Sequence, residues 1–558
     1  TEPDGTQGSE TDGQNRLAYL RGDRSNEGSG ANQYRVRGSR LGDIVHSAPV
    51  YVGDPELNWP AKDPFPTASG ERYSEFQDNT SRNALVYVGG NDGMLHGFDT
   101  DTGEEIIAYV PRALASDQSQ TGLHFLTDQD YAHRYYVDNS PVVSDVYIDV
   151  GSGDDWRSIV AGGLGAGGRG IYALDVTDPS SFGASDVLWE FSAEDDSNLG
   201  YTFGEPTIAL MNNGEWAVIF GNGYNNDGSG TAQLFILFIE EGLDGEWKSN
   251  DYLAIDTGAG NTTTPNGLST PAVADTDGDG DADRIYAGDL QGNLWAFDVS
   301  ASNDNQWGLA YNSALFTATD PVDGNAQPIT VKPKVTQNAL VPSETGNAPN
   351  LIVSFGTGQY FATGDRQDTQ TQSYYGVWDH GTKSLSRGDL VEQTFVDWAP
   401  SETRILSSND VNYGTKNGDD KGWYIDFPAT GERVISEAIV RNGVLYFPTL
   451  IPDGDPCKLG ARSWLMVVDM ATGGRTEESA IDYNGDDVVD DADAVDHDSK
   501  KNSVSGMELN QPVFGSAVVG NRLYLFGGQN IPPDDGYKIP PKQTSETGRA
   551  SWQELRRQ

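Results

Sequence analysis

Ser269–Asp298 reads STPAVADTDGDGDADRIYAGDLQGNLWAFD. Its flanks, STPAV and RIYAGDLQGNLWAFD, have the β-branched, aromatic and glycine content of short strands and tight turns. The pattern is a short strand around Pro-x-Val, a strand ending in Gly, a turn, and an aromatic strand often closing with Asp. It recurs along the chain. HSAPVYVG (His46–Gly53) goes with ALVYVGGNDGMLHGFDTDTGEE (Ala84–Glu105), and NSPVV (Asn139–Val143) with IVAGGLGAGGRGIYALDVTDP (Ile159–Pro179). GEPTI (Gly204–Ile208) precedes AVIFGNGYNNDGSGTAQLFILFI (Ala217–Ile239), and Ser269–Asp298 is the fourth copy. KPKV (Lys332–Val335), SEAIV (Ser436–Val440) and QPVFGSAVV (Gln511–Val519) open the fifth, sixth and seventh.

Seven copies of a three- or four-strand unit predict an all-β chain, a seven-bladed β-propeller with surface insertions. The apolar strand before each glycine suits an inner strand buried on both faces. The longest stretch between copies, His380–Asp420, is expected to hold surface insertions. Residues 1–16 read as a polar N-terminal segment, and 17–558 as one propeller domain. The chain opens without Met and is expected to be the C-terminal part of a longer exported protein.

With 84 acidic against 36 basic residues the formal charge is −48. That excludes nucleic acid as a partner and opposes anionic lipid surfaces. The single cysteine, Cys457, excludes a disulfide framework within the chain and is expected to be buried. No apolar run approaches the roughly 18 residues of a membrane-spanning helix, so membrane insertion is not expected.

Within the fourth copy, Asp275-Thr-Asp-Gly-Asp-Gly-Asp-Ala-Asp283 places carboxylates on alternate residues. Like charges on one strand face need a cation, and calcium takes six to eight oxygens. Read against an EF-hand-type loop, the ligands are Asp275, Asp277, Asp279, the carbonyl of Asp281, and Asp283. Gly278 and Gly280 allow the tight winding. This loop is the first choice for calcium. Asp482-Tyr-Asn-Gly-Asp-Asp-Val-Val-Asp490 is the second, through Asp482, Asn484, Asp486, the carbonyl of Val488, and Asp490, with Asp493 at position 12. Asp487 stands where that loop type wants Gly, and the acidic continuation DADAVDHDSKK makes a disordered insertion the rival reading. Asp99 and Asp101, in DTDTGEE, belong to an ordinary hairpin turn. Arg21-Gly22-Asp23 is an integrin-type tripeptide inside the apolar LAYLRGD, which also reads as a packed segment.

YVGGNDGMLHGFD (Tyr87–Asp99), GGLGAGGRGIYALDVTDP (Gly162–Pro179), LGYTFGEP (Leu199–Pro206), FGNGYN (Phe220–Asn225), YAGDLQGNLWAFD (Tyr286–Asp298), FGTGQYF (Phe355–Phe361) and GRASWQEL (Gly548–Leu555) follow in order. From about Leu17 to the end the chain resembles the C-terminal domain of the PilC/PilY family of bacterial type IV pilus biogenesis factors and tip-associated adhesins. The resemblance implies a modified propeller of the quinoprotein dehydrogenase type. It implies export to the outer membrane, cell surface or pilus tip, with minor pilins and a host-cell receptor as partners. It also implies a calcium loop, on Asp275, Asp277, Asp279, Asp281 and Asp283, that influences pilus extension, retraction, twitching motility, attachment and virulence. The alternative is a lectin-like ligand-binding propeller. A quinone-dependent dehydrogenase comes last. GFDTDTGEE and VVDMATGG resemble that fold's tryptophan-docking repeats, but one cysteine cannot form the vicinal disulfide many members carry. None of the six histidines neighbours a nucleophile elbow. The chain is therefore expected not to be an enzyme.

Overall fold

The computed structural model describes residues 8–341, 349–416, 418–452, 461–509, 511–527 and 536–542. Cys457 and the terminal GRASWQEL lie outside them. Strands dominate. Among the described residues they form seven sheets of three to five strands and a separate two-stranded hairpin. The seven sheets fall on the seven repeats in order.

The chain divides into two compact units. The first holds the described residues up to Leu268 together with Asp279–Asp281. It contains three four-stranded sheets, each a run of neighbouring antiparallel strands. The first sheet uses Val50–Val52, Leu85–Gly90, Met94–Asp99 and Glu105–Tyr109. Its turn needs glycine: Gly93 has φ +94°, and its N–H donates to the Gly90 carbonyl at 3.2 Å. Sheets pack face to face. Val52, Leu85, Tyr87 and Leu95 of the first share one core with Val160, Tyr172 and Leu174 of the second. Trp216–Gly221, an inner strand of the third sheet, is buried along its whole length, as a strand covered on both faces must be.

The second unit contains the other four sheets and is built the same way. Tyr286, Leu294 and Ala296 share a core with Val353, Phe355 and Tyr375. Trp423 docks on the turn of the sixth sheet. A Cβ at Gly473 (φ +69°) would stand 2.1 Å from the indole, and Trp423 Nε1 donates to the Met470 carbonyl at 3.1 Å. Asp469 fixes that turn by accepting from the Ala471 and Thr472 N–H groups at 3.0 and 2.8 Å. The VVDMATGG stretch therefore forms the tryptophan-docking turn that its sequence resembles.

Two expectations need correction. His380–Asp420 is more than surface insertion. Val391–Glu392 pairs parallel with Trp423 and Tyr424 of the fifth sheet, and Thr403–Arg404 forms an edge strand of the sixth. Leu390, Ile405 and Leu406 are buried, which ties the segment down. The boundary drawn after residue 16 falls inside a helix that runs Glu10–Leu20. Ser9 and Asp12 form a capping box at its start, and Tyr19 anchors its far end in the core.

Candidate metal centre

The first acidic loop joins Ala272–Ala274 to Arg284–Gly288, paired antiparallel with Ala272 opposite Tyr286 and Ala274 opposite Arg284. The Asp283 N–H donates to the Ala274 carbonyl at 3.0 Å and closes the base of the hairpin. Gly278 and Gly280 have φ +85° and +108°, where a side chain is strained, and these kinks curl the loop. Asp283 Oδ2 accepts from the N–H and the hydroxyl of Thr276, each at 2.7 Å. Asp275 Oδ1 accepts from the Gly278 N–H at 2.6 Å. These bonds orient two carboxylates that are 3% and 5% exposed, while Asp277 stands exposed.

The result is convergence. One carboxylate oxygen each from Asp275, Asp277 and Asp283 lies within 4.8 Å of the others. Oxygens on opposite sides of a calcium ion, each bound at 2.3–2.6 Å, are at most about 5 Å apart. The trio therefore fits that ion's first sphere, and its all-oxygen character suits a hard cation. Each like-charge pair at this spacing costs about 1 kcal/mol even in water, and more where shielded. Asp279 and Asp281 are not part of the trio; Asp279 Oδ1 accepts from the Asp281 N–H at 3.3 Å. Asp281 was expected to contribute its carbonyl, which its buried side chain does not oppose.

The second loop is arranged differently. Asp482 accepts from the N–H groups of Gly485, Asp486 and Asp487, and Asp493 from those of Tyr483, Asn484 and Asp490. Asn484 and Asp486 accept from backbone N–H groups two residues on, and so does Asp490. Asp487 pairs with Arg522 and Lys538, whose charges hold its carboxyl below the usual range. Among the described residues, no three ligand groups converge there as they do in the first loop. The acidic continuation is an ordered hairpin, Ala494–His497 with Lys500–Ser503.

Arg21 and Asp23 are exposed just past the Glu10–Leu20 helix, with Gly22 at φ +97°. Asp23 Oδ1 accepts from the Ser25 N–H at 2.7 Å. A second such tripeptide, Arg387-Gly388-Asp389, escaped the sequence reading. It is structural: Arg387 pairs with Asp426 at 2.6 Å and lies over the Tyr424 ring. Phe65 was also missed. It touches the tip of the first acidic loop from an insertion that carries no repeat signal.

Seven sheets of this pattern, antiparallel except for the Val391–Glu392 edge of the fifth, with an oxygen-lined acidic hairpin in the fourth, define a seven-bladed β-propeller with a candidate calcium loop. The family described as the PilY1 beta-propeller domain matches residues 41–407, and the chain belongs to it. It is 40% identical over 553 residues to the type IV pilus biogenesis factor PilY1 of Pseudomonas aeruginosa strain PAK, covering 91% of this chain and 44% of that protein. A PilY1 homolog of Xylella fastidiosa is 38% identical over 481 residues, covering 82% of this chain and 31% of that one. The crystal structure of the Pseudomonas aeruginosa PilY1 C-terminal domain superimposes with a TM-score of 0.69 at 33% identity, over 88% of this chain and 99% of that one. The chain spans less than half the length of these curated relatives.

Proposed function

We propose that this chain is the calcium-binding propeller of an exported, non-enzymatic type IV pilus biogenesis and adhesion factor. The observation that carries this reading is the 40% identity to PilY1 over nine-tenths of the chain, joined to the convergence of Asp275, Asp277 and Asp283. The factor works at the pilus tip, outer membrane or cell surface, with minor pilins as partners and a host-cell receptor as target. It modulates pilus extension and retraction, and with them twitching motility and attachment.

Asp275, Asp277 and Asp283 would hold the ion, with Asp279 and the Asp281 carbonyl completing the set. Bound calcium supplies a fixed double positive charge to a loop built of negative ones. Asp283 holds the loop base to the Ala274 strand, and Thr276 keeps that carboxylate in place. A ligand shifts an equilibrium only by its differential affinity for the two states. The convergent loop offers the ligand set and a splayed loop does not, so occupancy favours the closed hairpin.

The test pairs genetics with calorimetry. Deletion of the gene is expected to lower surface piliation and attachment, and removal of the retraction motor to restore part of the pili. Unchanged piliation and twitching in the deletion strain would overturn the pilus assignment. Absence of a calcium heat signal from the purified domain would overturn the metal assignment alone.

A further inference from the structure

In a chain of net charge −48, residues 16–40 hold six arginines, Arg16, Arg21, Arg24, Arg35, Arg37 and Arg40, against two acids, Asp23 and Glu27. The local balance is +4, from six basic and two acidic residues. This segment borders a cleft of about 200 Å³ in the first unit, whose lining includes Arg35, Arg40, Asn91, Leu126, Tyr131 and His133.

Several charged groups around the cleft are engaged with one another. Arg37 donates from Nε to Glu27 at 2.7 Å and from its terminal nitrogens to the Tyr19 and Asp23 carbonyls. Asp43 faces His133 at 2.8 Å. Asp92 accepts from the Gly42 N–H at 2.7 Å and pairs with His96 at 3.0 Å. Beside these carboxylates the cleft presents donors. Arg35 and Arg40 donate from Nε to the Leu126 and Gly22 carbonyls at 3.2 and 2.9 Å, and the Arg35 side chain also interacts with the Tyr19 hydroxyl. The Arg35 guanidinium lies over the Tyr131 ring, its Cζ 4.1 Å from the centroid. Asn91 is 4% exposed. Its Oδ1 accepts from the Tyr136 N–H at 3.0 Å, but its buried Nδ2 has no hydrogen-bond partner. Buried polar groups are normally satisfied, but this one is closed off from solvent, so the donors open to a ligand are the arginines.

We infer that the cleft receives a carboxylate, and that the surface around it docks an acidic peptide segment of a partner protein. Two guanidinium groups at the rim of one cleft are donors of the kind a carboxylate accepts from. A phosphate would satisfy the same donors. The peptide is favoured by the apolar surface alongside: Val36, Leu41, Ile44 and Val45 are 65%, 40%, 42% and 47% exposed. Such a patch suits leucine-type side chains next to the acid. The positive segment on a negative molecule also steers an acidic strand to this one place.

The test uses the whole chain at fixed calcium and a fluorescent acetyl-Leu-Asp-Leu peptide with a free carboxyl terminus. Saturable binding that weakens with salt is expected. Arg35→Gln, Arg40→Glu and an uncharged acetyl-Leu-Asn-Leu-amide probe should each weaken it about tenfold, the worth of one charge-assisted hydrogen bond. Arg40→Gln, a milder change at an exposed site, should reproduce the loss with an unaltered thermal melt. Equal binding of the neutral peptide, or indifference to all three variants, overturns the inference. So does displacement of the probe by inorganic phosphate or oligogalacturonate at lower concentration than by unlabelled peptide.

Discussion

The ring of Phe65 lies against the backbone of Gly280: a Cβ at that glycine would stand 2.5 Å from Phe65 Cε2. Phe65 is 3% exposed and stacks on Trp59 at 5.0 Å, and Trp59 meets Trp216 edge-on at 5.6 Å. Trp59 Nε1 donates to the Asp145 carbonyl at 3.0 Å, and the Tyr73 hydroxyl donates to the Asp145 carboxylate at 2.5 Å. The tip of the first acidic loop is thus seated on a fixed aromatic stack.

Gly280→Ala should therefore disturb the loop without unfolding the protein. It adds a clash with Phe65 and places a side chain at φ +108°, a strain of about 1–3 kcal/mol. At least about fivefold weaker calcium binding is expected by calorimetry, with unchanged circular dichroism. Phe65→Ala acts on the stack itself. It should lower global stability by about 3–5 kcal/mol, read from the urea midpoint.

The repeat was legible because five copies end a buried strand in glycine, at Gly90, Gly163, Gly221, Gly288 and Gly356, and a second glycine at positive φ follows within a few residues, at Gly93, Gly165, Gly223, Gly292 and Gly358. The acidic trio was legible because strand-like spacing brings alternate carboxylates together. Thr403–Arg404 was not legible. Two residues carry no periodicity, and their place in the sixth sheet depends on pairing with Gly506 and Met507, about a hundred positions away. The Glu10–Leu20 helix was hidden by its polar composition, although Ser9 and Asp12 were a readable cap. The role of Phe65 depends on a contact with a residue more than two hundred positions on, which no local pattern encodes.

Arg404 anchors that short edge strand through Glu432. Its two terminal nitrogens donate to the two carboxylate oxygens at 2.6 and 2.7 Å, and the Thr449 hydroxyl adds a third bond at 2.7 Å. Glu432 is fully buried, and Trp464 covers the guanidinium at 3.9 Å. Arg404→Met leaves a buried carboxylate without its ion partner and should cost about 3–5 kcal/mol in urea unfolding. The double variant Arg404→Met, Glu432→Leu should recover much of the loss. A double variant as unstable as the single one would show that packing, not charge, holds the strand.

His96 should make stability depend on pH. Burial opposes its charged form, but Asp92 at 3.0 Å and Glu105 at 2.6 Å outweigh that, and its pKa is raised. A raised folded pKa contributes stability that is complete below the unfolded value of about 6.5 and is lost as pH rises through the folded value. The urea midpoint should therefore fall as pH is raised above neutrality. His96→Gln should flatten that slope. His46, paired with Asp138 at 2.6 Å and shifted the same way, should leave a residue of it. An unchanged slope in His96→Gln would remove His96 as its source.

Asp283→Asn is the sharpest probe of the metal site. The carboxylate is 5% exposed and accepts two bonds from Thr276, and a carboxamide oxygen can still accept from that residue. The strand base should also survive, because the Asp283 N–H to Ala274 bond belongs to the backbone. Fold and thermal stability without calcium should thus change little. Any change should be upward, since one of three converging negative charges is gone. With calcium the order should invert. The ion loses a charged ligand from a set of three, and affinity should fall at least about tenfold, equivalent to about 1.4 kcal/mol. Calcium should then raise the melting temperature of the unaltered protein more than that of the variant, because a ligand stabilises in proportion to its binding. Asp490→Asn serves as the control in the second loop, where its carboxylate accepts from the Ala492 N–H. If Asp490→Asn abolishes the calcium shift while Asp283→Asn leaves it whole, the ion belongs to Asp482–Asp490, and the convergence of Asp275, Asp277 and Asp283 serves only the turn.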